Sequence, residues 1–233
     1  MEASQMEERV PLLGRLAGLA AIVFVIDPLG ILFGGPNFFS NLSSQQILDF
    51  AAKNGRAISI HAFNQGLGAT LFAVFIVLLV VQVRGRGILA TLAYISAAAM
   101  MAVNWTAASM QYALADAAQR AGSESGVVAL FSLGKMMAFS DGYFVAIPAV
   151  AISVFALRSR ALPAAICWLG LVAGGFHFLA TPIQLVLTGT ADGITGPIAV
   201  VSGLLWLLAV GVTLLIKPLW GPQSASVTVR ATA

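Results

Sequence analysis

The sequence predicts an all-α integral membrane bundle of about six transmembrane helices. Of its 233 residues, 59% are hydrophobic and only 9% are charged, whereas a soluble domain has roughly 25% charged residues. The mean hydropathy is +0.94. A helix needs about 20 apolar residues to cross a bilayer. Apolar runs of sufficient length occupy residues 11–34, 57–83, 87–114, 127–157, 161–187 and 195–216.

These runs predict a single transmembrane domain over residues 1–220. We expect the first run to remain as a membrane span, because acidic residues precede it and a cleaved signal peptide begins with positive charge. The tail 221–233 has no apolar periodicity, so we expect it to be disordered. Cys167 is the only cysteine, which excludes a disulfide within the chain.

The basic residues predict the orientation. With six spans both termini lie on one side of the membrane, and that side holds eight basic residues against three on the other. By the positive-inside rule the termini are cytoplasmic, and the expected location is the cell membrane. The eight are Arg9, Arg15, Arg84, Arg86, Arg158, Arg160, Lys217 and Arg230, and the three are Lys53, Arg56 and Arg120. Positive charge in short loops is normal for a membrane protein, so nucleic-acid binding is not expected.

The longest outer loop, 35–56, predicts one additional helix. Ser43 precedes Gln46 by three residues, which is the spacing of an N-terminal capping box. Gly55 is typical of the residue that follows a helix C-terminus. We therefore expect a short amphipathic helix at the outer membrane interface, separate from the second span.

Strongly polar residues predict a pocket in the outer half of the bundle. A helix rises about 1.5 Å per residue, so the position of a residue relative to the outer end of its span gives its depth in the membrane. Three sets have spacings that place their members on one helix face: His61, Asn64 and Gln65; Asn104 and Gln111; His177 and Gln184. Because lipid cannot satisfy such groups, we expect these faces to meet inside the bundle. Interhelical hydrogen bonding without any catalytic role remains the alternative for each residue.

The ionisable residues of this region are candidate catalytic groups. Asp141 is the strongest, because it lies deep in the fourth span, where burial favours the neutral acid unless Lys135 or a histidine pairs with it. Asp27 precedes Pro28, which can kink the first span and direct the carboxylate inward. The predicted catalytic set is Asp141, Asp27, His61, His177 and Lys135. No H-x-x-x-H or E-x-x-H spacing occurs, so neither a metal nor another cofactor is expected.

Amide and aromatic side chains in the same region are predicted to bind a substrate. Aromatic rings can line a pocket for an apolar molecule and stabilise a developing cation, although most such rings are ordinary packing. The predicted substrate-binding set is Asn64, Gln65, Asn104, Trp105, Gln111, Tyr112 and Gln184.

Two segments near the end of the chain have recognisable patterns. In "ALPAAICWLGLVAGG" (161–175) a leucine-proline pair opens a span that contains tryptophan-leucine-glycine, and "GLLWLLAVGVTLL" (203–215) has a leucine-tryptophan pair. These spans resemble the last two spans of a broad group of uncharacterised bacterial multi-pass membrane proteins, which implies an architecture and no activity. By layout alone, a small helical bundle with two buried carboxylates and an aromatic lining is similar to integral membrane terpene cyclases.

These features favour an integral membrane enzyme that acts on an apolar, isoprenoid-like substrate by acid–base chemistry, through protonation-initiated cyclisation or isomerisation. The alternatives are a small-solute or proton-coupled transporter that uses the same polar residues, and a structural membrane subunit. A sealed apolar floor beneath the polar residues would favour the enzyme, whereas a polar path to Arg84 or Arg158 would favour transport. The partners expected are the lipid bilayer and an apolar small molecule, and the sequence does not determine the oligomeric state.

Overall fold

The computed structural model describes residues 12–25, 42–120, 123–186 and 192–217. Within these ranges it contains six α-helices and no strand, so the prediction of an all-α bundle is confirmed. The helices are α1 (Leu12–Val25), α2 (Ser44–Gln82), α3 (Ile88–Gln119), α4 (Glu124–Ser159), α5 (Ala164–Val186) and α6 (Asp192–Ile216). Asp27, Pro28 and the tail 221–233 lie outside the described residues.

The described helices have the length and surface of membrane spans. Four of them are long and apolar enough to cross a bilayer: α2, α3, α4 and the part of α6 from Gly196 to Ile216. The apolar stretches of α1 and α5 are shorter, at Leu12–Val25 and Ala164–Ala180. Many large apolar side chains face outward along the bundle, and Ile88 and Ile216 are 76% and 79% exposed. An apolar surface of this extent requires lipid around it, so the protein is a helical membrane protein.

Consecutive helices pack side by side as an up-and-down bundle, and α2 also contacts α4. The first helix lies between α6 and α2. Gly18 of α1 packs so closely on α6 that an added β-carbon would lie 2.6 Å from the carbonyl oxygen of Gly211. On the other side, the rings of Phe24 and Phe72 have centroids 5.3 Å apart. Small residues at the α1–α6 contact allow the two backbones to approach each other.

The predicted interfacial helix is continuous with the second span. The capping box is confirmed: Gln46 N donates to Ser43 Oγ, and Ser43 N donates to Gln46 Oε1. The predicted stop at Gly55 is wrong, because α2 continues without a break to Gln82. Gly55 is buried against α3, where an added β-carbon would lie 2.5 Å from Gln119 Nε2. The glycine therefore lies at the α2–α3 contact and does not end a helix.

Buried apolar side chains form two separate cores along the bundle axis. The small core is formed by α2, α3 and α4 at one end and contains Ile47, Ala51, Ile58, Leu114, Ala115, Val127 and Phe131. The large core lies toward the other end and includes Phe72, Phe75, Ile152, Trp206 and Val210. We call the end beyond the large core the basic end, because its α2–α3 and α4–α5 loops carry Arg84, Arg86 and Arg160.

Candidate functional site

Polar side chains of α2 and α3 form a connected chain of hydrogen bonds. Gln65 Nε2 donates to Asn104 Oδ1 at 2.9 Å, and Gln111 Nε2 donates to Gln65 Oε1 at 2.8 Å. Asn104 Nδ2 also donates to the carbonyl oxygen of Met100 at 3.0 Å. Asn104 and Gln111 are seven residues apart and lie on one face of α3, and both are buried. The side chain of Gln65 therefore bridges two turns of the neighbouring helix.

Asp141 of α4 places a carboxyl group beside this chain. The side chain of Asn104 lies next to the Asp141 carboxyl group. Oδ1 of Asp141 is buried and has no hydrogen-bond partner in the described part of the chain, and the same holds for Oε1 of Gln111. Two buried acceptor oxygens thus lack a donor, which is costly in an apolar environment. We call Gln65, Asn104, Gln111 and Asp141 the polar layer.

Gln65, Asn104 and Asp141 lie at the depth of the hydrocarbon core, and Gln111 lies about two turns further out on α3. Gln65 is 17 residues before Gln82, Asn104 is 16 residues after Ile88, and Asp141 is 18 residues before Ser159. At 1.5 Å per residue these offsets correspond to about 24–27 Å from the basic end, within a hydrocarbon thickness of about 30 Å. The large core fills the bundle on one side of the layer and the small core on the other. Apolar packing therefore closes the layer along the bundle axis, as far as the described residues extend.

Trp105 packs on the outside of α2, next to the polar layer. Its Nε1 donates to Thr70 Oγ1 at 3.1 Å, and an added β-carbon on Gly66 would lie 2.8 Å from the indole ring. The side chain of Trp105 is 41% exposed, and that of Tyr112 is 40% exposed. The sequence analysis missed Gly66 and Thr70. These two residues are one helical turn apart, and a tryptophan lies at a matching depth on α3, so the sequence contained a signal for this contact.

Asn64 faces away from the polar layer. It is exposed, whereas Gln65 is partly buried. Consecutive residues on a helix are 100° apart, so a face centred on Gln65 does not include Asn64. The prediction that His61, Asn64 and Gln65 share one inward face is therefore wrong for Asn64. His61 is partly buried and lies one turn from Gln65.

His177 packs against α6, and Lys135 lies near the outer boundary of the span. An added β-carbon on Gly203 of α6 would lie 2.5 Å from Nε2 of His177, so this imidazole packs at the α5–α6 contact. From the sequence we expected Lys135 to lie inside the fourth span. It is partly buried and about 36 Å from the basic end of α4, which places it at the outer boundary of the span instead. The side chain of Gln184 lies outside the described part of the structure.

The structure thus connects Gln65, Asn104 and Gln111 through hydrogen bonds and places Asp141 next to Asn104. Among the described residues, no group of three histidine, cysteine, aspartate or glutamate side chains is placed to hold a metal ion. No protein-family model matches the chain, and no curated protein or solved structure matches it. Its class therefore follows from fold and site: a helical membrane bundle with a polar layer enclosed between two apolar cores.

Proposed function

We propose that this protein is an integral membrane enzyme that acts on an apolar substrate by acid–base chemistry, with Asp141 as the proton donor. The observation that carries the proposal is Oδ1 of Asp141, a buried carboxyl oxygen that has no hydrogen-bond partner in the described structure. A proton on this carboxyl group would make it a donor, and a substrate atom can accept that proton.

Neighbouring amides fix the position of the carboxyl group. Asn104 accepts a hydrogen bond from Gln65 and lies next to Asp141, so side chains from α2 and α3 border a group that belongs to α4. Gln65 is held in turn by Gln111. A catalytic group is effective when a supporting shell holds it in one geometry, and this chain of amides supplies such a shell.

The closure of the polar layer favours a substrate that arrives from the lipid. The large core blocks the route from the basic end, and the small core blocks the route from the opposite end. The sides of the bundle border the hydrocarbon, where apolar molecules dissolve. An isoprenoid can approach laterally between helices, whereas a hydrophilic solute has no such route.

The chemistry requires a proton to be added and later removed. Transfer of a proton from Asp141 to a carbon–carbon double bond, or to an epoxide oxygen, would generate a carbocation in the substrate. Cyclisation or migration would follow within the substrate, and loss of a proton would return it to Asp141, directly or through His61. This cycle, together with the bundle layout, is the basis for the similarity to integral membrane terpene cyclases.

We also propose that the basic end faces the cytoplasm and that the bundle resides in the cell membrane with both termini inside. The exposed arginines Arg84, Arg86, Arg158 and Arg160 at that end support this orientation. The polar layer then lies near the extracytoplasmic boundary of the hydrocarbon core.

The test compares the wild type with the matched variants Asp141→Asn and Asp49→Asn, each incubated with membrane lipid extract of the native host. Asp49 is an exposed carboxylate near the start of α2 and serves as the control. We expect the wild type and Asp49→Asn to form the same product by mass spectrometry, and Asp141→Asn to form at least about 100-fold less. Equal product from both variants, with both folded by circular dichroism, would remove Asp141 from the mechanism.

A proton-coupled transporter is the second candidate, supported by two polar atoms inside the large core. Ser153 Oγ and Trp206 Nε1 are buried and have no hydrogen-bond partner in the described structure, and both pack against Gly170. A polar path from the polar layer through the large core to the basic end would pass these two atoms. Proton flux into liposomes that disappears in Ser153→Ala and Trp206→Phe variants would favour transport over catalysis.

A further inference from the structure

Gln111 ends the hydrogen-bonded chain of the polar layer with an unused acceptor. Its Nε2 donates to Gln65 at 2.8 Å, whereas its Oε1 is buried and has no hydrogen-bond partner in the described structure. The residue as a whole is only 5% exposed. A buried carbonyl oxygen without a donor is costly, so a molecule that supplies a donor here gains binding free energy.

A backbone group fixes the direction of the chain. A backbone carbonyl oxygen can only accept, so the carbonyl of Met100, at 3.0 Å, must face Nδ2 of Asn104. Oδ1 of Asn104 then faces Nε2 of Gln65, and Oε1 of Gln65 faces Nε2 of Gln111. Turning any one of these three amides around would bring two oxygens into contact. The chain therefore ends in an acceptor and not in a donor.

Gln111 lies near the level of the lipid headgroups, and Asp141 lies deeper. Gln111 is 23 residues after Ile88, or about 34 Å from the basic end, and a hydrocarbon core is about 30 Å thick. Asp141 is about 27 Å from the same end. A lipid-soluble molecule with one polar end also keeps that end near the headgroups and its chain in the hydrocarbon. The two levels therefore match the polar end and the chain of such a molecule.

A hydroxyl group is the donor that fits this position. An ammonium group also donates, but a charge is far more costly to remove from water than a neutral group. A thiol is a weak donor. A hydroxyl group is neutral, donates one hydrogen bond and is compatible with an otherwise apolar molecule.

We propose that Oε1 of Gln111 accepts a hydrogen bond from the hydroxyl group of an apolar alcohol, such as an isoprenoid alcohol. The hydroxyl group lies at Gln111, and the apolar chain extends inward toward Asp141. The inference rests on the proposed function, because it names the polar group of the substrate that the polar layer binds. It assigns to Gln111 the selection of alcohols over hydrocarbons and ethers.

The experiment measures binding to the purified full chain in phosphatidylcholine nanodiscs by scintillation proximity, with empty nanodiscs as the blank. The probes are radiolabelled farnesol and its methyl ether, which has the same chain and oxygen but no donor. For the wild type we expect saturable binding of farnesol, about tenfold tighter than binding of the ether. Gln111→Met removes the acceptor and keeps the length of the side chain, so this variant should bind the two probes equally. Loss of the bond to Gln65 affects both probes alike.

Two variants serve as controls. Gln45→Met makes the same substitution at an exposed glutamine near the start of α2, so it should retain the full preference for farnesol. Gln111→Glu should retain it as well, because a carboxyl group offers an acceptor oxygen in either protonation state. Binding of the ether to Gln111→Met shows that this variant is folded.

Three results would overturn the inference. One is the absence of saturable farnesol binding to the wild type. Another is equal affinity of the wild type for both probes, which would indicate that water or a protein group satisfies Oε1. The third is a preference for farnesol that persists in Gln111→Met. Failure of the proposed function has a different result, because Asp141→Asn would then form as much product as the wild type while the preference for farnesol remained.

Discussion

The side chain of Gln65 in α2 donates a 2.9 Å hydrogen bond to Asn104 in α3, although the two residues are 39 positions apart in the chain. This bond fixes the rotation and the axial offset of the two helices at the level of the polar layer. Because Asn104 also contacts Asp141, the same residue couples the α2–α3 pair to α4. One amide, that of Asn104, thus has neighbours on both α2 and α4 at the level of the candidate site.

Replacement of Gln65 by leucine should destabilise the bundle. The substitution removes the donor to Asn104 and the acceptor for Gln111. Side-chain hydrogen bonds between membrane helices contribute about 0.6 kcal/mol each on average and at most about 1.7. We expect the free energy of unfolding, measured by chemical denaturation in bicelles, to fall by roughly 1–3 kcal/mol, whereas exposed Asn64→Leu should change it by less than about 0.5. Equal stability of the two variants would show that the bonds contribute nothing.

Replacement of Gly66 by alanine should disturb the α2–α3 contact at Trp105. The new methyl group would lie 2.8 Å from an indole ring that is also held by Thr70, so the ring or the helix must shift. Overpacking of this kind costs about 1–3 kcal/mol of unfolding free energy. The control is Gly175→Ala, because an added β-carbon there has no neighbour within 4 Å. The prediction fails if the two alanine variants melt at the same temperature.

His177 and Gly203 should be energetically coupled. In Gly203→Ala the methyl group would lie 2.5 Å from Nε2 of the imidazole, so we expect a loss of about 1–3 kcal/mol in the free energy of unfolding. In the double variant with His177→Ala the steric conflict is absent, and the two effects should not add. A double-mutant cycle gives the coupling energy. Strict additivity would place the imidazole away from α6.

The continuity of α2 predicts a long distance within one helix. Lys53 and Val81 are both exposed and 28 residues apart, which corresponds to about 42 Å between α-carbons in one straight helix. Spin labels on Lys53→Cys and Val81→Cys, in a chain with Cys167→Ser, should give this distance by pulsed electron resonance in bicelles. A separate helix that lies flat on the membrane would bring the labels to well under about 35 Å, by the same helical rise.

The amides of the polar layer show how far sequence patterns reach. The seven-residue spacing of Asn104 and Gln111 predicted a shared face, and both are buried in the structure. The same reasoning failed for Asn64, because a residue 100° from Gln65 on the helix faces the outside of the bundle. The spacing of polar residues shows which of them share a face of one helix. It does not show which neighbouring helix that face contacts.

Gly55 shows a different limit. A glycine in this sequence context is equally consistent with a helix end and with a close helix contact, and the residues around it do not decide between them. In the structure Gly55 lies inside α2 and faces α3, where the side chain of Gln119 reaches it. Information that resides 64 positions away is not available to a local pattern.

By itself the sequence determined the helical membrane class, the existence of the spans and the capping box at Ser43, because hydropathy, helix length and capping are local properties of the chain. The tertiary structure decided the Gln65–Asn104–Gln111 bonds, the approach of Asn104 to Asp141 and the enclosure of this layer between two cores. These features depend on how each helix is rotated and shifted against its neighbours, and that choice comes from the packing of side chains distant in sequence.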